Sequence, residues 1–349
     1  MVEFVGVSDI IEIINAIGLE PMLEEMAATI KADFARWPEF EAAPRLAGHS
    51  EHGVIELMPT SDGQLYSFKY VNGHPKNTAQ GLQTVAAFGV LSEVATGYPV
   101  FVSEMTLLTA IRTAAMSALA AKHLARPGSR RMAMIGLGAQ SEFQALAFRR
   151  ILGIDRIQAY DSDFAAGEKF VSNLGGSGIS IHLAYDPASA VRNADIVTTA
   201  TADKTLATIL TNDLITAGMH INAVGGDCPG KTELHPAILS RAAVFVELEE
   251  QTRIEGEIQQ MPEDFPVTEL WKVITGAAPG RQSPDEITIF DSVGFAIEDF
   301  SALRVLRKLA TRTGHHRHID LLAAPKDPRN LYGLLDAAPR ELHSMLEDG

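Results

Sequence analysis

RMAMIGLGAQSEFQALAFRRI, Arg131 to Ile151, starts as a strand, turns on two glycines and leaves as a helix. Met132 to Ile135 form a short apolar run without polar alternation, which suits a parallel strand buried on both faces. Gly136 permits the tight turn, and Gly138 lets the backbone approach a pyrophosphate. The helix beginning near Ala139 then offers free N–H groups and the positive end of its dipole. A GxG pair by itself is weak evidence. Here a strand precedes it, a helix follows, and an acid, Asp161, closes the next strand about twenty residues on, which makes the signal specific. Ser141 stands where Gly or Ala is usual, which leaves the closeness of helix and strand packing open. A carboxylate at Asp161 accepts hydrogen bonds from ribose hydroxyls and repels the extra phosphate of NADP, so the expected cofactor is NAD.

Downstream, RIQAYD, SIHLAY, DIVTTAT, MHINAVGG, AVFVEL and ITIFDSVG repeat the alternation of short apolar runs with helical segments. The fold expected is therefore α/β, a Rossmann-type doubly wound parallel sheet. Upstream, a helical stretch around Ile10 to Phe34 precedes GVIELMP and QLYSFKYV, with turn signals at Ser61-Asp62-Gly63 and Asn72-Gly73. FGVLSEVATGYPVFVSEM reads as a hairpin, and an Ala-rich helix runs from Thr106 to Leu124. Arg126-Pro127-Gly128 then breaks the chain. These features predict a second, α+β domain over 1–127 and a nucleotide-binding domain over 128–314. From Phe295 a basic amphipathic helix leads to a polar tail without a strand signal, and 315–349 is expected to return to the first domain.

A chain of 349 residues supports two domains. With 46% hydrophobic and 21% charged residues, it has the composition of a compact globular protein. A formal charge of -15 argues against a general nucleic-acid binder. No segment approaches the roughly 18 apolar residues of a membrane span. One cysteine and an N-terminus without a basic, apolar leader predict a cytoplasmic protein. GHHRHID, 314–320, lacks ligand spacing and reads as a solvated tail, Cys228 as a bystander, and the acidic run VELEEQTRIEGE as surface.

In a doubly wound sheet, ligands sit beyond the carboxyl ends of the strands. Val224-Gly225-Gly226-Asp227 lies at such an end. Gly225 and Gly226 leave room for a flat nicotinamide ring, and Asp227 faces the same space. Its spacing fits proton transfer, with Lys231 as a tuning neighbour, and fits equally a cap for the segment starting at Pro229. Lys69 and Arg112 interrupt an apolar strand and an Ala-rich helix, and Arg45 sits in APRLAGH. A buried cation needs an anion. Taken singly, each cation reads most simply as salt-bridged or snorkelling. Glu56 is a lone acid in an apolar strand whose face the periodicity leaves open.

Together PRL with Arg45, FKYVNGHPKN with Lys69, the helix carrying Arg112, IGLGAQ and INAVGGDCPGKTEL resemble the ornithine cyclodeaminase and mu-crystallin family over nearly the whole chain. DCPGKTEL resembles its bacterial ornithine cyclodeaminase members in particular. The resemblance implies an enzyme that turns L-ornithine into L-proline and ammonia, with NAD taking a hydride and returning it. It also leaves room for a cyclic ketimine reductase, an amino-acid dehydrogenase, a lysine cyclodeaminase or a non-enzymatic crystallin-like binder. By the same resemblance, Arg45, Lys69 and Arg112 hold the substrate carboxylate, with Arg112 also near the cofactor. Glu56 and Asp227 contact the amino groups, and Asp227 is the proton donor and acceptor. Val293 lies beside the substrate, and Thr84, Ala139, Gln140, Asp161, Thr201, Val224, Lys231 and Ser292 line the NAD site. A homodimer joined through the first domain is implied as well.

Overall fold

The computed structural model describes residues 1–201 and 208–337. The chain opens with β1 (Val2–Val5), α1 (Val7–Ile17) and α2 (Leu19–Ala35). Then follow β2 (Leu46–Ser50), β3 (Gly53–Ser61), β4 (Leu65–Gly73), β5 (Ala87–Glu93), β6 (Pro99–Glu104) and the long α3 (Thr106–Leu124). The second part runs β7 (Arg131–Ile135), α4 (Ser141–Leu152), β8 (Arg156–Tyr160), α5 (Phe164–Asn173), β9 (Ser180–Leu183), α6 (Pro187–Val191) and β10 (Ile196–Thr199). It continues through β11 (His220–Ala223), α7 (Pro236–Leu239), β12 (Ala243–Val246), α8 (Glu249–Glu255), β13 (Thr268–Glu269), α9 (Leu270–Ile274) and β14 (Thr288–Asp291). Finally α10 (Ala296–Thr313) and β15 (Arg317–Ile319) return to the first part.

The second sheet has the order β13-β12-β14-β11-β10-β7-β8-β9. Each of its strand pairs is parallel. Met132 and Met134 face the core that holds α3 and α4, whereas Ala133 and Ile135 face a core with Ala190, Val191, Ile238 and Leu239. Burial on both faces is why the strand reads as an unbroken apolar run. Strand order reverses between β7 and β10, which opens a crevice beyond their carboxyl ends.

The first sheet has the order β15-β1-β6-β5-β4-β3-β2. Its inward positions alternate along each strand: Val54, Glu56 and Met58 on β3, and Ser67, Lys69 and Val71 on β4, are all buried. Glu56 therefore faces the interior, which periodicity had left open. Ala114, Ala115, Ala118 and Ala121 of α3 are buried against its neighbours, α2 and α4 among them.

Two features differ from the sequence reading. The tail does carry a strand, since Val2 pairs with Ile319 and Phe4 with Arg317. Three residues of mixed polarity become a strand only because the edge of β1 is there to pair with. Residues 338–349, expected to return to the first domain, lie outside the described residues. Secondly, α10 packs on α2, α3 and strands β3 to β5, on the first-sheet side of the residue-314 boundary. Phe300, Leu303, Leu306 and Leu309 are buried there, each contributing about 1.5–3 kcal/mol relative to exposure. Asp33 of α2 accepts from Ser301 Oγ (2.6 Å) and Arg304 Nη1 (2.8 Å), which fixes the helix register.

Candidate active site

The Gly136 turn is shaped by close approach. Gly136 has φ +91°, and a Cβ there would lie 2.5 Å from the Ala200 carbonyl oxygen. At Gly138 a Cβ would meet nothing within 4 Å, so the turn is open above that residue. Asp161, just past β8, accepts from Leu137 N–H (2.7 Å) and Asp163 N–H (2.9 Å). Each carboxylate oxygen retains a lone pair for a further donor. Ser141 is fully buried and donates to the Gly138 carbonyl (2.9 Å), so the departure from Gly or Ala is absorbed by a satisfied hydroxyl. Gln140, the N-cap of α4, makes no side-chain cap bond. An open turn with Ala139 and Gln140 leading into a twelve-residue helix fits a pyrophosphate.

Across the crevice, Val224 and Gly225 N–H groups both donate to the Thr199 carbonyl, at 3.0 and 3.2 Å. The space that the missing side chains leave at Gly225 and Gly226, expected to admit a nicotinamide ring, is taken by carboxylates: a Cβ would lie 2.2 Å from Glu233 Oε1 at Gly225 and 2.6 Å from Glu257 Oε1 at Gly226. Asp227 follows with its side chain 55% exposed and Oδ1 3.4 Å from Lys231 Nζ. Lys231 is buried and also donates to the Thr201 carbonyl (2.9 Å). Among the described residues no helix starts at Pro229, where the chain instead forms a turn in which Lys231 N–H donates to the Cys228 carbonyl (3.1 Å). Thr84 lies in the connection before β5, where its carbonyl accepts from His74 N–H (2.8 Å), apart from this network.

The three cations converge from the first part of the chain onto the turn after β14. Arg45 Nη2 donates to the carbonyls of Val293 (2.6 Å) and Gly294 (2.7 Å), Nη1 donates to Glu56 (3.1 Å), and Nε pairs with Glu255 (3.1 Å). Lys69 pairs with Asp299 at 2.7 Å, and Arg112 donates to Glu298 (2.6 Å) and Asp299 (3.0 Å). Gly294, at φ +78°, leaves room for Arg112, whose Nη1 would lie 2.8 Å from a Cβ. Glu247 holds this turn by accepting from Ser292 Oγ (2.7 Å) and from Val293 and Gly294 N–H. Ser292 also donates through its N–H to the Ala223 carbonyl (2.9 Å), which joins the turn to the strand that ends before Asp227.

Each cation is thus salt-bridged within the protein, and of the anions only Glu56 was singled out in the sequence. Glu247, Gln251 and Glu255 belong to the acidic run expected at the surface, yet all three are buried. Gln251 and Glu255, four residues apart on α8, share one helical face, and Glu247 sits just past β12 before that helix, an arrangement the charge of the run obscured. Glu298 and Asp299 open α10, where the helix dipole favours acids.

Burial governs the protonation of this cluster. It pushes Lys69 from its ordinary 10.5 down to about 8, against the pull of Asp299 and with help from Arg112 and Arg45. It lifts the Glu255 carboxyl to about 7, against the attraction of Arg45. Burial also lifts Glu298 to about 8, with Arg112 opposing and Glu247 and Asp299 adding to it. For Arg45, burial acts downward but is outweighed by Glu56, Glu255 and Asp227, so the guanidinium is held more firmly protonated. The cluster can bind a carboxylate at the cations, hold ammonium groups at the acids, and exchange a proton at Asp227.

A Rossmann-type sheet joined to a buried cluster of charged side chains is the architecture of a dinucleotide-dependent enzyme acting on a small polar substrate. The chain belongs to the ornithine cyclodeaminase/mu-crystallin family, whose model matches residues 7–314. It is 59% identical over 335 residues to the ornithine cyclodeaminase of Brucella suis, covering 96% of this chain and 94% of that one. A structure of a lysine cyclodeaminase, described for recognition of L-lysine, L-ornithine and L-2,4-diaminobutyric acid, superposes with a TM-score of 0.90 at 31% identity. That match covers 95% of this chain and 99% of the other. An archaeal alanine dehydrogenase dimer with bound NAD superposes with a TM-score of 0.83 at 30% identity, covering 92% of this chain and 99% of that one.

Proposed function

We propose that the protein is an NAD-dependent ornithine cyclodeaminase, converting L-ornithine to L-proline and ammonia. The observation that carries this reading is the near full-length identity of 59% with an ornithine cyclodeaminase. The buried cluster suits the substrate. Three cations answer one carboxylate, and Glu56, Glu255 and Asp227 around Arg45 supply negative charge for two amines.

Gly136, Gly138, Ala139 and Gln140 would hold the pyrophosphate, and Asp161 the adenosine ribose. Thr201, Val224, Gly225, Gly226, Lys231 and Ser292, with Thr84 across the cleft, would hold the nicotinamide half. When bound, NAD supplies a reversible hydride acceptor for the substrate α-carbon. Arg45, Lys69 and Arg112 fix the α-carboxylate, and with it the face of the carbon that is turned to the cofactor; Val293 walls the same side. Asp227 takes the proton that leaves the α-amine as that carbon is oxidised. After the δ-amine has closed the ring, Asp227 gives a proton to the departing ammonia. Glu56 holds the amine in line, and proximity makes ring closure effectively unimolecular.

The test supplies L-ornithine with substoichiometric NAD and follows proline, ammonia and NADH. Many turnovers of proline without net NADH are expected. Stoichiometric NADH with a 2-oxo product would instead make the protein a dehydrogenase.

A second expectation concerns pH. Lys69 is protonated below about 8 and neutral above it, so the carboxylate clamp weakens as pH rises. The affinity of the NAD-loaded enzyme for L-proline, whose ring nitrogen stays charged in this range, should fall by about tenfold per pH unit above that point. Lys69→Met should bind weakly and with a shallower pH dependence, since Glu298, lifted to about 8 beside Arg112, still titrates there. A flat wild-type profile between about pH 7 and 9.5 would remove Lys69 from the clamp.

We further propose that 1–127 together with α10 and the tail forms the substrate-binding and dimerisation unit, and that the parallel sheet forms the NAD-binding unit. Ile55, Leu57 and Phe88, each more than 40% exposed on one face of the first sheet, suit the interface of a homodimer. Among the described residues no helix is long and apolar enough to cross a membrane. A cytoplasmic setting suits the single cysteine.

A further inference from the structure

Glu233 closes the loop that carries Asp227. Its Oε1 accepts from the Thr201 N–H (2.8 Å) and from the Thr201 hydroxyl, and its Oε2 accepts from Gly225 N–H (3.2 Å). Thr201 lies just past β10 and Gly225 just past β11, so one carboxylate ties together the ends of two adjacent parallel strands. It does so from the far end of the loop, six residues beyond Asp227. The fit is close, for a Cβ at Gly225 would lie 2.2 Å from Glu233 Oε1.

The bracket reaches further in both directions. Thr201 is packed against the phosphate turn, where a Cβ at Gly136 would lie 3.0 Å from Thr201 N. Its carbonyl accepts from Lys231, which also pairs with Asp227. Behind Glu233, Glu257 accepts from the N–H groups of Glu233 (2.7 Å) and Leu234 (3.0 Å), and Asp291 accepts from those of Glu257 and Ile258 (both 2.9 Å). A carboxylate has four lone-pair sites and no donor, which is what three converging donors require. Glu233 is 1% exposed, so neither substrate nor solvent competes for it.

We propose that Glu233 is a positioning residue that sets the distance between the Asp227 carboxylate and the nicotinamide end of the cofactor site by holding Thr201 and Gly225 at once. The inference rests on the cyclodeaminase reading above, but its first test does not. In Glu233→Gln the amide oxygen serves one arm, and the NH₂ group turns a donor toward the other. Amide exchange at Thr201 in the NAD-loaded protein should then accelerate by about tenfold or more, with a smaller rise at Gly225, whose N–H keeps the Thr199 carbonyl (3.2 Å). In turnover, kcat should fall by about 10- to 100-fold, as a misplacement near 1 Å produces. KM for L-ornithine and Kd for NAD should stay within about threefold. Thr201→Val, which removes the hydroxyl arm alone, should show a smaller loss of kcat, and the double variant less than the sum of the two. It carries the same test should Glu233→Gln fail to fold. Unchanged exchange and kcat would overturn the proposal. So would a parallel decline of Tm, NAD affinity and kcat/KM, which is the pattern of a merely structural brace. Altered exchange in a protein whose wild type makes no proline would leave Glu233 as the bracket and remove the cyclodeaminase reading instead.

Discussion

Asp227→Asn is expected to lower kcat for L-ornithine by about 10²-fold or more, the usual contribution of a positioned acid-base group. Asparagine keeps the shape and one acceptor but cannot take a proton at neutral pH. Stability should be almost untouched. The side chain is 55% exposed and its described partner, Lys231, keeps the Thr201 carbonyl. An exposed substitution of this kind shifts stability by about 0.5 kcal/mol at most. Measuring kcat and Tm on the same preparation separates the two effects. A kcat within about threefold of wild type would take Asp227 out of the proton chemistry.

Arg112→Met is expected to be costly for both stability and turnover. The guanidinium holds Glu298 at 2.6 Å and Asp299 at 3.0 Å, and without it Asp299 has Lys69 alone among the described residues. Removing one partner of a buried ion pair costs about 3–5 kcal/mol, because the remaining charge is left unpaired and unhydrated. The sign of the pH dependence follows from Glu298. Burial raises its pKa to about 8 while Arg112 opposes that rise, so losing Arg112 penalises the ionised form. The destabilisation should be greatest above that pH and shrink as pH falls and the acid takes up its proton. Urea unfolding near pH 9 and pH 7 measures this. A loss below about 1 kcal/mol at the higher pH would mean that Glu298 and Asp299 find other partners. The same variant should bind L-proline weakly, since one arm of the carboxylate clamp is gone.

Much of the molecule was legible because the features concerned are local. The run from Met132 to Ile135, the glycines at 136 and 138 and the helix after them are set by neighbouring residues, and the parallel sheet follows from their repetition. The helix from Thr106 to Leu124 and the strands carrying Glu56 and Lys69 were legible for the same reason. Asp227 could be placed at a strand end, though not given a task, since the spacing served a cap as well as a base.

What the sequence by itself determined, then, is the nucleotide-binding sheet, the position of Asp227 at its carboxyl edge, and the presence of three cations in apolar surroundings. Only the tertiary structure decided which anions answer them. Glu255, Glu298 and Asp299 come from segments more than 180 residues away from the cations they pair with. Packing alone brings Glu56 inward, folds the acidic run against the site, and lays α10 on the first sheet. Periodicity fixes which residues share a face, whereas the partner of that face, and so the cost of burying a charge on it, is set by chain segments that meet only when the protein folds.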